Sequence, residues 1–319
     1  MKLTSNRKNR IRHFHFLCIF FLFSYSSVVL SDEYVVNSHY CYGSNKEWFI
    51  EGRIVEARED SQAKVSDNWI QNLWRKTRQL SNDEEKDTSI NIIAQEQIFR
   101  LDTDDEGFFD IVIKPSPPVK SGWYEIKSIF NAETKPLCQL LVPDINNRTG
   151  IISDFDDTVI VSDITSKPKA IFNTMTLNFK QRELVTGMPD RFREILKQNP
   201  VPDHALLFFV TGSHKQMQKG LEDFLAYHNF PSHTTIAKKI SGNNPDPILD
   251  QYQYKLEKIT HILKLYPEVS FTLFGDDGEK DPEVYDTVLQ NFSSQIGEIW
   301  IRKVSNDPDR KKYPNQRYF

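Results

Sequence analysis

The pattern of apolar and polar positions changes character near Pro143. Before it, apolar residues alternate with polar ones or form short runs over 48–55, 90–101, 108–113, 123–130 and 137–142. Patterns of that period and length predict strands. Turn-prone clusters such as Asp102-Thr-Asp-Asp-Glu-Gly107 and Lys114-Pro-Ser-Pro-Pro118 separate them, because glycine and proline interrupt a ladder. A small antiparallel β-sandwich accommodates these runs. One helix is expected among them over 69–80, where Ile70, Leu73 and Trp74 fall at helical spacing.

After Pro143 strand patterns alternate with helical ones, which predicts an α/β fold with a Rossmann-like parallel sheet and crossover connections. Its strands are expected at 151–153, 206–210, 235–237, 269–274 and 296–301. Its helices are expected at 189–197, about 214–228, 252–266 and 282–292. The chain thus divides into a leader, 1–31, a β-rich region, 32–144, and an α/β region, 145–319. In a parallel sheet, ligands bind beyond the carboxyl ends of the strands. That rule collects three polar stretches into one place: Asp154-Phe-Asp-Asp-Thr158, Thr211-Gly212-Ser213 and Gly275-Asp276-Asp277-Gly278.

Composition adjusts this picture at the N-terminus. With 39% apolar and 12% aromatic residues among 319, the chain can bury two cores. Lys2, Arg7, Lys8, Arg10 and Arg12 precede an apolar run over 16–23, and no acid occurs before Asp32. This is the grammar of a secretory signal peptide over 1–31, directing export to a bacterial envelope, a secretory lumen or the exterior. An uncleaved N-terminal membrane anchor, formed by extending the run to Leu30, is the alternative.

Without residues 1–31, 35 basic residues remain against 44 acidic ones, a net of −9, which argues against nucleic acid as a partner. Cys41 and Cys138 are left as either one disulfide or two buried thiols. Asn147-Arg-Thr149 and Asn291-Phe-Ser293 read as glycan acceptors in a eukaryotic secretory route. The acids at 102–106 do not alternate as a calcium loop requires, and read as a solvated turn.

The chemistry concentrates at the three strand ends. An apolar strand that opens onto Asp154, Asp156 and Asp157 must offer these acids a cation, a proton or a substrate. Phosphoryl transfer needs an in-line nucleophile, positive charge on the non-bridging oxygens and an acid for the leaving group. Asp154, first after the strand, can attack phosphorus while Mg2+ screens the repulsion. Asp156 can carry the proton, since two carboxylates so close do not both ionise freely. Asp157 reads as a turn residue.

Thr211, with the amides of Gly212 and Ser213, can face phosphate oxygens at a helix N-terminus, or simply cap that helix. Lys255, where a helix dipole disfavours a cation, implies a compensating anion unless it is solvated. Asp276, with Asp154 and the backbone carbonyl of Asp156, can complete an oxygen-rich Mg2+ site in which Asp277 is a further support. Asp281 precedes Pro282 and reads as a helix N-cap that also supports the metal.

These residues, Asp154-Phe-Asp-Asp-Thr158, Thr211, Lys255 and Gly275-Asp276, together resemble the four motifs of the haloacid dehalogenase-like phosphohydrolases. Ser153-Asp154-Phe-Asp-Asp-Thr158, Tyr254-Lys-Leu-Glu-Lys-Ile259 and Phe274-Gly-Asp-Asp-Gly-Glu-Lys-Asp-Pro-Glu-Val-Tyr285 resemble, more narrowly, the catalytic domain of the actin-patch type of phosphatidate phosphatase. The resemblance covers about 145–305. It implies magnesium-dependent hydrolysis of phosphatidate to diacylglycerol and phosphate, with Asp154 as nucleophile, Asp156 as acid/base, Thr211 and Lys255 on the phosphate and Asp276 on the metal. One departure is Thr211-Gly-Ser-His-Lys215, where the family usually has Ser-x-Ser-Pro.

Substrate class stays open between phosphatidate at a membrane surface and a soluble phosphomonoester, with a non-catalytic binding module as a third reading. Residues 159–186 interleave Lys167, Lys169, Lys180 and Arg182 with Ile171, Phe172, Met175, Leu177 and Phe179. Such a segment suits a cap resting on anionic lipid, and equally a cap packed on the sheet.

Overall fold

Alternating burial along strands such as Ser89–Ala94 and Gly122–Phe130 builds a sheet with one face turned inward. The computed structural model describes residues 34–57, 63–68, 70–72, 87–162, 177–239 and 251–319. The leader lies outside these residues, as does the helix expected over 69–80 except for a helical 70–72. Among the described residues, no helix is long and apolar enough to cross a membrane.

The N-terminal strands are β1 (Tyr34–Gly43), β2 (Trp48–Glu56), β3 (Ser89–Ala94), β4 (Gln97–Asp102), β5 (Phe108–Ile113), β6 (Gly122–Phe130) and β7 (Glu133–Val142). They form one sheet in the order β4-β3-β6-β7-β1-β2-β5. All neighbours are antiparallel except β1 and β7, which run parallel through Tyr42 and Leu141. The expected two-sheet sandwich is therefore corrected to a single sheet, which curls like a barrel until its edge strands β4 and β5 meet. Strand twist permits one sheet to enclose its own core, here Trp48, Ile50, Ile54, Ile90, Ile92, Ile126 and Leu140.

One local detail differs from expectation for a backbone reason. The run over 90–101 is a hairpin, β3 and β4, which reverses at Gln95 and Glu96 with φ of 50° and 62°. Neither residue is the glycine or asparagine that advertises such a turn. The acids at 102–106 do form a turn, in which the Asp104 carboxylate accepts from the Glu106 and Phe108 amides, both at 2.9 Å. Cys41 and Cys138 are joined as a disulfide between β1 and β7, with Cα atoms 6.4 Å apart.

The second sheet is wholly parallel, in the order β10-β9-β8-β11-β12-β13. Its strands are β8 (Thr149–Ser153), β9 (Leu207–His214), β10 (Thr234–Lys238), β11 (Ser270–Asp276), β12 (Ile296–Arg302) and β13 (Arg317–Tyr318). Helices α1 (Met188–Leu196), α2 (Gln218–Tyr227), α3 (Gln251–Leu265) and α4 (Asp281–Asn291) cover it. Successive strand side chains point to opposite faces, and the core divides accordingly. Ile152, Phe208, Val210, Phe271 and Leu273 meet α3 and α4 through Ile259, Ile262, Val284 and Val288. Ile151, Leu207, Phe209 and Phe274 meet α1 and α2 through Phe192, Leu196, Leu221 and Phe224.

Asn147 helps to close the second sheet rather than to carry a glycan. It is 3% exposed, and its carboxamide donates to the Val201 carbonyl at 2.8 Å and accepts from the Val201 amide at 3.1 Å. A glycan there would need this buried pair broken, so the acceptor reading at Asn147 is withdrawn.

Glu33–Phe319 is one compact unit, so the two sheets share a boundary. Tyr42 of β1 stands edge-on to Phe208 of β9, ring centres 5.5 Å apart, and Tyr266 donates to the Gly43 carbonyl at 3.1 Å. Glu51 of β2 pairs with Lys215, just beyond the end of β9, and both are buried. Removing one partner of a buried ion pair strands the other's charge. Glu51→Ala is therefore expected to destabilise the protein by about 3–5 kcal/mol in denaturant unfolding. Joint replacement, Glu51→Leu with Lys215→Met, is expected to recover much of that loss; a single variant as stable as the parent would contradict the account.

Candidate active site

The site begins where β8 runs out of apolar residues. Ile151 and Ile152 are fully buried in opposite halves of the core, and the strand hands over Asp154, 1% exposed, at its carboxyl end. The Asp154 amide still donates to Phe274 of β11 at 2.8 Å, so the carboxylate is fixed by the ladder. The turn that follows bends at Asp157, whose φ is 52°. The Asp157 carboxylate accepts from the Ser162 amide at 2.7 Å, and Arg302 donates to its carbonyl at 2.7 Å. Asp157 thus shapes the turn and takes no position in the cleft, as the turn reading anticipated.

Three carboxylates converge behind that turn. One oxygen each from Asp154, Asp276 and Asp281 lies within 4.8 Å of the others, and all three residues are buried. Asp276 arrives at the end of β11 and Asp281 in the first turn of α4. The N-cap position expected for Asp281 belongs instead to Lys280. Asp281 sits one residue further on, and its carboxylate turns inward to Lys255, at 2.5 Å, and to the Asp276 amide, at 3.3 Å. Its buried cation outbids the cap.

Lys255 is the counterpart of this cluster. It is 1% exposed, so the solvated alternative does not apply, and its ammonium lies 2.9 Å from Asp154, 2.5 Å from Asp281 and 3.6 Å from Glu279. Burial pulls its pKa down, but Asp154, Asp281 and Glu279 prevail and hold it well above the lysine value. Asp154 and Asp276 are both held well above the carboxylate range, chiefly by burial. Lys255 pulls each back down, while Asp281 adds to the upward push.

A metal ion fits these residues. Asp276 Oδ1 accepts from the Gly278 amide at 2.7 Å, but its Oδ2 is buried with no hydrogen-bond partner among the described residues. A buried acceptor with no donor is costly, and an all-oxygen set of three carboxylates suits a hard divalent cation. Gly275 is required by proximity. A methyl group there would lie 2.6 Å from Asp281 Cβ and 2.8 Å from the Tyr285 ring.

In front of the triad lies a cleft of about 210 Å³, lined by Asp154, Asp156, Thr211, Gly212, Ser213 and Glu279, with Ser162, Arg182 and Gln251 beside them. The Asp156 carboxylate is not in the metal triad. It accepts from Ser162 Oγ at 2.6 Å and from Ser213 Oγ at 2.7 Å. Thr211, Gly212 and Ser213 still belong to β9, and α2 starts only at Gln218, so the expected helix N-terminus is replaced by a strand end. There Thr211 Oγ1 accepts from the Ser213 amide at 3.0 Å.

Asp277 does not join the triad. Its carboxylate accepts from the Val304 and Ser305 amides, at 2.6 and 2.7 Å. Those contacts belong to a C-terminal strap. Within it Arg310 donates to the Asp277 carbonyl at 2.9 Å, the Glu279 carbonyl at 2.6 Å and both oxygens of Glu283, at 2.6 and 2.8 Å. The loop that supplies two of the three triad carboxylates is held from outside by this one guanidinium.

Sequence reasoning overlooked Ser162, Arg182, Gln251 and Glu279 as cleft residues. Arg182 belongs to the basic segment over 159–186, whose sequence suits a cap on anionic lipid and a cap packed on the sheet equally. The chain pairs 159–161 with 183–185, through Val161 to Glu183 and Val185 to Val159, each at 2.9 Å, and this turns Arg182 toward Asp156. Most of that segment, 163–176, lies outside the described residues.

Comparison with known proteins bears on this half of the chain. Residues 149–303 match the family model described as "Phosphatidate phosphatase APP1, catalytic domain". Phosphatidate phosphatase APP1 of Saccharomyces cerevisiae is 32% identical over 158 residues, 49% of this chain and 26% of the yeast protein. An uncharacterized protein of Schizosaccharomyces pombe is 26% identical over 217 residues, 66% of this chain and 35% of its own length. The matched stretches thus span well under half of either relative. Among solved structures, one described as the Pnkp1/Rnl/Hen1 complex shares 15% identity with a TM-score of 0.31, over 51% of each chain, which is too distant to bear on the fold.

Gly275→Ala is expected to push Asp281 out of the triad and to weaken Mg2+ binding by about tenfold or more, read by calorimetry on the purified chain. Retention of the parent's metal affinity would show that the close approach at Gly275 does not hold the triad in place.

Proposed function

We propose, from the match of residues 149–303 to the phosphatidate phosphatase APP1 catalytic-domain model, that the protein is a magnesium-dependent phosphatidate phosphatase. It would release phosphate and leave diacylglycerol, with the domain belonging to the haloacid dehalogenase-like phosphohydrolases. The observation that carries the reading is the placement of Asp154 and Asp156 on one cleft, against a buried triad with an unsatisfied carboxylate oxygen.

In this proposal Asp154, Asp276 and Asp281 would hold the Mg2+, which would supply charge neutralisation on the phosphoryl oxygens. Asp154, fixed by the β-ladder and lining the cleft, would attack phosphorus through a carboxylate oxygen, and the P–O bond to the glycerol would break as the acyl phosphate forms. Asp156 gives its proton to the leaving oxygen. It then takes one from the water that hydrolyses the acyl phosphate, so that its protonation state is restored. Ser162 and Ser213 hold the Asp156 carboxylate toward this work. Lys255 stabilises the Asp154 carboxylate from behind, and Thr211 and Gly212 border the phosphate.

Export through residues 1–31 belongs to the same proposal, and the Cys41–Cys138 disulfide supports an oxidising compartment. Contact with a membrane surface would bring the cleft to its lipid. One observation favours a second reading, a soluble phosphomonoesterase: the described part of the 159–186 segment turns inward. Asn178 donates to the Lys64 carbonyl at 2.8 Å, and Arg182 faces the cleft.

Two measurements test these readings. Phosphate release from phosphatidate in mixed micelles, compared with water-soluble esters and with and without Mg2+, is expected to favour phosphatidate and to require the metal. A preference for soluble esters would move the assignment to the second reading. Asp154→Asn is expected to lower turnover by about 10⁴-fold or more and Asp156→Asn by about 10²–10⁴-fold, with circular dichroism unchanged. Undiminished turnover in Asp154→Asn would defeat the nucleophile assignment.

A further inference from the structure

The cleft is short of positive charge where a phosphate must enter. Asp154, Asp156 and Glu279 line it, with Asp276 and Asp281 directly behind Asp154. Lys255 lies beneath, already shared among Asp154, Asp281 and Glu279. Among the described residues, Arg182 is the one cationic side chain in the cleft lining.

Arg182 is held there incompletely. Its Nη2 donates to Ser162 Oγ at 2.6 Å and lies 3.7 Å from Asp156 Oδ1, a distance at which charges attract without a hydrogen bond. Its Nε is buried with no hydrogen-bond partner among the described residues. A guanidinium presents its donors as a rigid fork that matches two oxygens of one anion. Here the fork touches one hydroxyl and leaves an inner donor idle.

We propose that Arg182 is a catalytic residue that binds a non-bridging oxygen of the substrate's phosphoryl group, on the side of the cleft occupied by Asp156. The proposal rests on the phosphatase reading for its ligand class, a phosphomonoester. Because Arg182 also touches the group assigned as acid/base, its position has a second consequence: phosphate entry draws the guanidinium away from Asp156 and toward the anion. Substrate binding and release of the Asp156 carboxylate are then one event.

Binding of inorganic phosphate in the presence of Mg2+, measured by calorimetry, separates a phosphate contact from mere support of Asp156. Arg182→Gln is expected to weaken phosphate binding by about tenfold or more, the scale of one charge-assisted hydrogen bond. The same loss is expected in an Asp156→Asn background, where support of the acid/base no longer matters. Arg182→Lys, which keeps a charge but not the fork, is expected to fall between and provides the measurement if Arg182→Gln fails to fold. In steady-state assays KM is expected to rise with the same order of substituents.

Phosphate affinity within twofold of the parent in Arg182→Gln would overturn the proposal, as would a loss that vanishes in the Asp156→Asn background. A parent chain that binds phosphate through Arg182 yet releases none from any phosphomonoester would instead defeat the phosphatase reading and leave the anion contact standing.

Discussion

Repulsion among the buried carboxylates of Asp154, Asp276 and Asp281 is the constraint around which the α/β half is arranged. Two like charges about 4 Å apart repel by about 4 kcal/mol at an effective dielectric of about 20. If all three were ionised, three such pairs would rival the whole stability margin of an ordinary domain, about 5–15 kcal/mol, which is why burial and mutual repulsion hold Asp154 and Asp276 well above the carboxylate range. One lysine, itself inaccessible to water, cannot neutralise three acids with Glu279 as a fourth neighbour. The cluster is therefore an arrangement that makes sense in the presence of further positive charge, such as a bound divalent cation would supply.

Everything adjacent acts to keep these acids from moving apart. Asp154 is tied into the β-ladder, Gly275 leaves no room between β11 and the start of α4, and Tyr285 donates to the Phe274 carbonyl at 2.7 Å at the root of the same loop. The Asp157 turn is pinned to Arg302 at the end of β12, and Arg310 fastens the loop after β11 from the C-terminal side. Rigidity here is preorganisation: groups that would separate under their own field are placed before the ligand arrives.

Parts of this were legible in the sequence because burial writes itself as unbroken apolar runs. The runs before Asp154, Thr211 and Asp276 marked strands, and strand ends marked the site. Lys255 stood out because it lies near the start of its helix, where the dipole disfavours a cation. What escaped was set by contacts between distant segments. The strand over Tyr34–Gly43 shows little alternation, since most of its residues are half-covered by neighbours on both sides. A seven-stranded curled sheet and a sandwich share the same strand patterns, and only the pairing of β6 with β3 and of β7 with β1 distinguishes them. Asp281 looked like a cap because sequence shows its helix but not the buried lysine across from it. The direction of Arg182 stayed open in the sequence because it depends on the pairing of 183–185 with 159–161.

The strap formed after β12 bears on what counts as the functional unit. The family-model match ends at residue 303, yet the side chain that grips the Asp277–Glu283 loop is Arg310, and Gln316 donates to the Pro282 carbonyl at 2.7 Å. The part of the chain that carries the family likeness and the part that keeps its acids in register are thus different lengths. The limits of a family likeness in sequence need not be the limits of the structure that supports its site, since Arg310 and Gln316 lie past the matched stretch.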